Sequence, residues 1–242
     1  MIRILTILIG ALLLTYIAFA SYFFTEIKRN DICKSIEIVV KDSLDKHFVT
    51  KTDLTSFLKQ KKIYPVNKLM TEINTDQIEQ TLLGNEMIAL VEAYKTPSGI
   101  LKMEVEQKIP ILRVISPRGN FYVDNRGTLM PISSRYAAHV PVASGYIEKG
   151  LAVTDLYKFA LFLQGNKFWN AQIEQIYIHP DGEVDLIPRI GNHRIVLGTF
   201  EKFEEKLDNL RLFYDLVIPK MGWEKYSIIN LKYKNQIVCT KR

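Results

Sequence analysis

The groups best able to do chemistry lie in the stretch HPDGEVD: His179, Asp181, Glu183 and Asp185. The three carboxylates recur at every second residue, so a strand would present them on one face. There they could hold a hard cation. A strand with one solvent-facing side reads the same way, and His179-Pro180-Asp181-Gly182 is itself a turn signal. The remaining histidines, His47, His139 and His193, have no second histidine or carboxylate at metal-ligand spacing. Asp124, between Val123 and Asn125-Arg126-Gly127, reads as a turn residue rather than a ligand or an acid. Cys239 would be a nucleophile only with a base folded beside it. No H-E-x-x-H, G-x-S-x-G, P-loop or G-x-G-x-x-G string occurs. The expectation is no catalytic residue, no metal, no cofactor and no small-molecule substrate.

The elements that would have to position such groups begin with one that is not globular. The 242 residues are 48% hydrophobic and 24% charged, ordinary values that average two different parts. Residues 4–24, ILTILIGALLLTYIAFASYFF, contain no charged side chain and are as long as the roughly 20 residues a helix needs to cross a bilayer. The expected membrane anchor is therefore 4–24, running from Ile4 through Leu14 to Phe24, after a short tail at 1–3. A signal peptide is the competing reading, because Ala18-Phe19-Ala20 fits a cleavage site. The apolar run continues past it through Tyr22, Phe23 and Phe24, and signal peptides usually carry a shorter core, about 7–15 residues. A multi-span transporter lacks a second run, a cytosolic enzyme has no use for the first, and a disordered chain would hold fewer Ile, Leu, Val, Tyr and Phe.

Net charge is +6 and the basic residues are scattered. The densest group, Lys59, Lys61 and Lys62, sits where a helix would end, near its negative dipole end. Neither a basic stripe interleaved with aromatics nor a Cys/His finger marks a nucleic-acid binder. Lys28, Arg29 and Lys34 outnumber Arg3 plus the amino terminus, which by charge count favours an exposed N-terminus, although long flanking domains carry little weight in that rule. Cys33 and Cys239 could pair in an oxidising compartment, but two intervening domains would hold them beyond disulfide reach.

After the anchor, SIEIVV from Ser35 reads as a strand. FVTKTDLTSFLKQ reads as a helix with a Thr50/Asp53 capping box and Leu54, Phe57 and Leu58 on one face. In INTDQIEQTLLG, Asn74 or Thr75 caps a second helix, Ile78 and Leu82 share its face, and Gly84 supplies a left-handed end. MIALVEAYK and ILKMEVEQ are strands joined by Thr96-Pro97-Ser98-Gly99. In the second, Leu101, Met103 and Val105 alternate with charged residues. This is a β-α-α-β-β unit over 35–108.

Over 109–242, FYVDNRGTLMPI reads as two short strands around a turn. TDLYKFALFLQ reads as a helix capped by Thr154, with Leu156, Phe159, Ala160 and Leu163 on one stripe. IEQIYIH, GEVDLIPRI and HRIVLGT form an antiparallel meander. Phe203, Leu207, Leu210, Tyr214 and Val217 trace the apolar stripe of a long helix, ended by Pro219 and Gly222. YSIINLKYKNQIVC reads as a single closing strand with Ile229, Leu231 and Tyr233 on one face. The fold class is α+β, with an N-terminal transmembrane helix and a mixed β-sheet domain carrying flanking helices. A closing strand with one polar face belongs at a sheet edge, where its open N–H and C=O groups can take a strand from another chain.

The order of several strings resembles the bacterial cell-division family FtsQ/DivIB. The strings are the single anchor, FVTKTDL, the β-α-α-β-β unit, VEQKIP, YVDNRGTLMP and HVPVASG, which carries the family's P-x-x-x-G. In the family phrase V-x-E-R-x-P, Val105, Lys108 and Pro110 fit while Gln107 replaces the Glu. Asn230-Leu231-Lys232-Tyr233 resembles the closing D-L-R-Y with two conservative departures. The resemblance implies a POTRA domain followed by an FtsQ-type β domain. It implies a non-enzymatic scaffold of septum assembly in the cell inner membrane at the division site, N-terminus cytoplasmic and domains periplasmic. FtsB- and FtsL-like proteins would bind at the C-terminal strand (Ile229, Asn230, Leu231, Lys232, Tyr233, Lys234, Asn235 and Gln236), and other division proteins at the POTRA domain. The alternative reading is a membrane-anchored periplasmic hydrolase.

Overall fold

A helix, α1 (Ile2–Arg29), opens the chain. The computed structural model describes the backbone of residues 2–29, 31–41 and 48–242, and the side chains of all of these except 2–8 and 23–29. Between Ile9 and Tyr22, α1 is apolar all round, and Ile9, Leu12, Leu13, Leu14, Tyr16, Ile17, Phe19 and Tyr22 are exposed. Among the described residues no helix is long and apolar enough to cross a membrane. Of the expected anchor markers, Leu14 is described, while the side chains of Ile4 and Phe24 lie outside the described residues, as does His47.

Two compact units make up the chain, Met1–Gln107 and Lys108–Arg242. The first carries β1 (Ser35–Lys41), α2 (Lys51–Gln60), α3 (Thr75–Leu83), β2 (Ile88–Lys95) and β3 (Ile100–Gln107). β3 lies central, parallel to β1 and antiparallel to β2. That placement follows from its alternation, since Leu101, Met103 and Val105 are fully buried. The capping box at α2 is reciprocal: the Asp53 N–H donates to Thr50 Oγ1 (3.2 Å) and the Thr50 N–H to Asp53 Oδ2 (3.1 Å). Asn74 caps α3 by accepting from the Gln77 N–H. The left-handed end expected at Gly84 is not formed. Its φ is −64°, because the chain continues through right-handed turns, Asn85 N–H to Leu82 O and Ile88 N–H to Asn85 O. Gln107 is buried, and its Oε1 accepts from the Val49 N–H at 2.9 Å, so the neutral amide supplies the acceptor that a carboxylate would offer.

In the second unit the elements run β4 (Pro110–Ser116), β5 (Gly119–Asp124), β6 (Leu129–Pro131), β7 (Val142–Gly145), α4 (Lys149–Ala152), α5 (Asp155–Gly165), α6 (Lys167–Gln172), β8 (Ile173–Ile178), β9 (Val184–Pro188), β10 (Arg194–Gly198), α7 (Phe203–Leu216), α8 (Ile218–Met221), β11 (Tyr226–Asn230) and β12 (Val238–Lys241). The strands form one mixed sheet of nine, ordered β12-β11-β10-β9-β8-β7-β4-β5-β6. The β8-β9-β10 meander is antiparallel, as its turn signals imply. β4 and β7 escape a reading of local pattern. β4 buries three residues in a row, Pro110, Ile111 and Leu112, and so lacks alternation at its start, and β7 is four residues long, held parallel by β4 and β8 from distant parts of the chain. Gly145 ends β7 with φ +101°, and a Cβ there would lie 2.1 Å from the Ile178 carbonyl oxygen.

Helices α5 and α7 supply the apolar cover. Phe159 of α5 meets Phe203 of α7 edge-on at 5.1 Å, and Leu207, Leu210 and Tyr214 continue the buried stripe. Thr154 does not cap α5: its hydroxyl turns back to the Gly150 carbonyl (2.9 Å), because α4 precedes it and already directs the chain. Pro219 does not end the long helix either. α7 stops at Leu216, and Pro219 sits in the first turn of α8, where its missing N–H costs nothing. Gly222, at φ +78°, closes α8.

Candidate functional site

The carboxylates of the HPDGEVD stretch are committed to structure. Asp185 is 3% exposed, and its Oδ2 lies 2.7 Å from His179 Nε2 and accepts from Arg194 Nη1 at 2.9 Å. Glu183 pairs with Lys232, and Asp181 accepts from the Glu183 N–H. Among the described residues no group of three His, Cys, Asp or Glu is placed to hold a metal ion. Asp124 is the turn residue its neighbours imply, accepting from the Arg126 and Thr128 N–H groups and the Thr128 hydroxyl. Both cysteines are free thiols. Burial pushes the Cys239 thiol up, the opposite of the depression that makes a reactive thiolate. His193 is buried with its Nε2 2.7 Å from the Tyr214 hydroxyl and its ring stacked on Trp223. Burial lowers its pKa, Arg242 adding to the effect and Glu224 opposing it, and burial raises that of Tyr214.

The single closing strand expected over 226–239 is two strands. β11 ends at Asn230, residues 231–237 turn, and β12 returns antiparallel. The reason lies in the connecting residues. Leu231 is buried and its N–H donates to Val196 O, Asn230 Oδ1 takes the Lys232 N–H, and Asn235 adopts the left-handed conformation at φ +59°. Ile229 therefore stands fully buried on an inner strand between β10 and β12, not at an edge. Lys232 is spent on Glu183. Tyr233, expected on the strand's apolar face, is 51% exposed in the turn, beside the exposed Lys234, Asn235 and Gln236.

The edge moves to β12. Alternate residues of a strand direct their N–H and C=O to opposite sides. The Leu231 N–H points to β10, so Ile228 and Asn230 face β12 and pair with Thr240 and Val238. Consistently, the Thr240 carbonyl accepts from Ser227 Oγ and the Arg242 N–H reaches the Lys225 carbonyl. By that parity the main-chain groups of Cys239 and Lys241 point away from the sheet. Between α7 and the 231–237 turn that leads into β12 lies a groove of about 270 Å³, lined by Lys202, Glu205, Asn209 and the turn itself. Its floor is pinned by Lys206, whose Nζ donates to the Leu197 and Thr199 carbonyls; burial holds its pKa below the usual lysine range.

Two other sheet edges are blunted. β6 is three residues long and ends in Pro131. In the first unit, the outer strand β2 has its Ala93 N–H taken by Glu79 of α3 at 2.7 Å.

Residues 109–240 match the family model described as FtsQ/DivIB, C-terminal related, and residues 31–106 match that of a POTRA-like domain. No curated protein matches the chain. Among solved structures it is similar to the major extracytoplasmic domain of the trans isomer of the cell-division protein DivIB from Geobacillus stearothermophilus. The identity is 17%, covering 47% of this chain and 97% of that one, with a TM-score of 0.35.

Proposed function

Because this chain belongs to the FtsQ/DivIB, C-terminal related family, we propose that it is a non-enzymatic scaffold of cell division that captures a partner strand on β12. The observation that carries this reading is the open edge of β12. Cys239 and Lys241 offer main-chain donors and acceptors there, and the neighbouring groove and the exposed Tyr233 give side chains of an added strand or helix a place to rest. The partner is of the FtsB/FtsL type, as the resemblance implies, and the POTRA-like unit meets other division proteins. The contact begins at β12 and takes in Tyr233 to Gln236 of the turn, with Ile229 acting as the buried support behind it.

Residues 4–24 form the anchor, the N-terminus is cytoplasmic, and 35–108 and 109–242 are two periplasmic domains. Support comes from the uncharged run of 21 residues and from the exposed apolar surface on every side of α1 between Ile9 and Tyr22. Anchoring partners in one membrane raises their effective concentration without any new contact. The alternative, an anchored hydrolase, finds its best carboxylates already held in ion pairs and turns.

Lys241→Pro tests the edge. It deletes one outward N–H while leaving the ladder to β11, and the lost bond is worth about 1 kcal/mol, or roughly fivefold in affinity. Lys241→Ala is the control. Capture of the FtsB-like partner by the full chain in detergent should weaken with Pro and not with Ala. Equal capture by both variants refutes the strand-addition reading.

A further inference from the structure

A second concave surface in the Lys108–Arg242 unit gathers three cations against one carboxylate. Arg113 stands on β4 opposite Val142 of β7, its main-chain N–H donating to the Pro141 carbonyl. Its guanidinium lies 5.9 Å from the centre of the Tyr122 ring, and its Nε is buried with no hydrogen-bond partner. Buried donors without a partner are rare and costly, so this one requires an explanation. Arg113 is one of the residues lining a cavity of about 500 Å³. Two more cations line that cavity, Lys167 at the start of α6 and Arg189 after β9, with the exposed His139 at the rim and Glu174 as the one carboxylate. Residues brought together from positions 113 to 189 have no local reason to share a charge sign. Among the described residues none of Arg113, Lys167 and Arg189 forms an ion pair.

We propose that this cavity binds an oxyanion, a carboxylate or phosphate group borne on a small ligand. Guanidinium groups present planar donors that match either group, and Lys167 adds a mobile ammonium. Val140, Pro141 and Ala171 give the wall an apolar side, fitting a ligand with a short hydrocarbon part next to its charge. The site is separate in its residues from the β12 edge and its groove. It needs no partner strand.

The test uses the full chain in detergent at constant ionic strength, titrated with inorganic phosphate in one arm and with glutarate in the other. Trp169, in α6 two residues after Lys167, reports by fluorescence. A saturable response to phosphate alone identifies a phosphate-bearing ligand, to glutarate alone a carboxylate-bearing one, and to both an oxyanion site that accepts either. Arg189→Gln and Lys167→Gln, both at exposed positions, should each weaken binding about tenfold, whereas Lys220→Gln, outside the cavity, should leave it unchanged. Absence of saturation in both arms overturns the proposal. So does an equal loss in Lys220→Gln, which would reduce the effect to general surface charge.

Discussion

Replacing Gly145 by Ala should strongly destabilise the β domain, and the size of the effect can be worked from two separate contributions. The first is conformational: φ is +101°, a region that costs a residue with a side chain about 1–3 kcal/mol. The second is space. The added Cβ would stand 2.1 Å from the Ile178 carbonyl oxygen and 3.1 Å from the Ile178 carbonyl carbon and nitrogen, all main-chain atoms that cannot rotate away. Relief requires β7 to leave β8, across four registered residue pairs in the middle of the sheet, at a net cost of about 1 kcal/mol for each hydrogen bond lost. Together these come to about 4 kcal/mol or more, a large part of the roughly 5–15 kcal/mol that holds a domain folded. Gly182→Ala is the matched control. Its φ is +85°, but nothing lies within 4 Å of the added Cβ, so about 1 kcal/mol is expected. Urea unfolding followed by tryptophan fluorescence reads the right domain, because the two tryptophans, Trp169 and Trp223, both belong to the second unit. If Gly145→Ala shifts the midpoint no more than Gly182→Ala does, the β7–β8 approach is not as close as described.

Two further outcomes follow from buried polar groups. Burial lowers the folded-state pKa of His193 below its ordinary 6.5, so the unfolded chain takes up the proton first. The stability this residue contributes is complete above that value and is lost as pH falls toward the folded pKa, and the urea midpoint should decline from about pH 7 to pH 5, with a shallower decline in His193→Phe. Gln107→Leu leaves the Val49 N–H without its acceptor and should destabilise the first unit by about 1–3 kcal/mol, whereas Gln107→Glu keeps an acceptor and should cost less, measured by thermal unfolding monitored by circular dichroism.

Local signals carried much of this fold. The capping box of Thr50 and Asp53, the alternation in β3 and the stripe of α7 each depend on residues within a few positions of one another, and each stands where the pattern puts it. The departures at Gly84, Thr154 and Pro219 are local, set by the turns and short helices next to them, whereas the error at the closing strand comes from pairing between distant segments. Alternation from Ile229 to Tyr233 looks continuous, yet Leu231 is buried by its bond to Val196 of β10 and the chain turns at Asn235. Asn followed by Gln between two apolar runs was the available turn signal, since Asn tolerates the left-handed region. The edge therefore begins further along than its sequence pattern suggests, at Val238 of β12 instead of Ile229. The cavity lined by Arg113, Lys167 and Arg189 left no trace in the sequence, because scattered basic residues become a cluster only when β4, α6 and the end of β9 are brought together.

Parity makes the docking edge testable atom by atom. Amide hydrogen exchange of the full chain, free and in complex with the FtsB-like partner, should be resolved at Cys239, Thr240 and Lys241. Thr240, facing β11, is expected to exchange slowly in both states, while Cys239 and Lys241 exchange fast in the free chain and become protected in the complex. Unchanged fast exchange at Cys239 and Lys241 in a complex that has formed would contradict strand addition at β12.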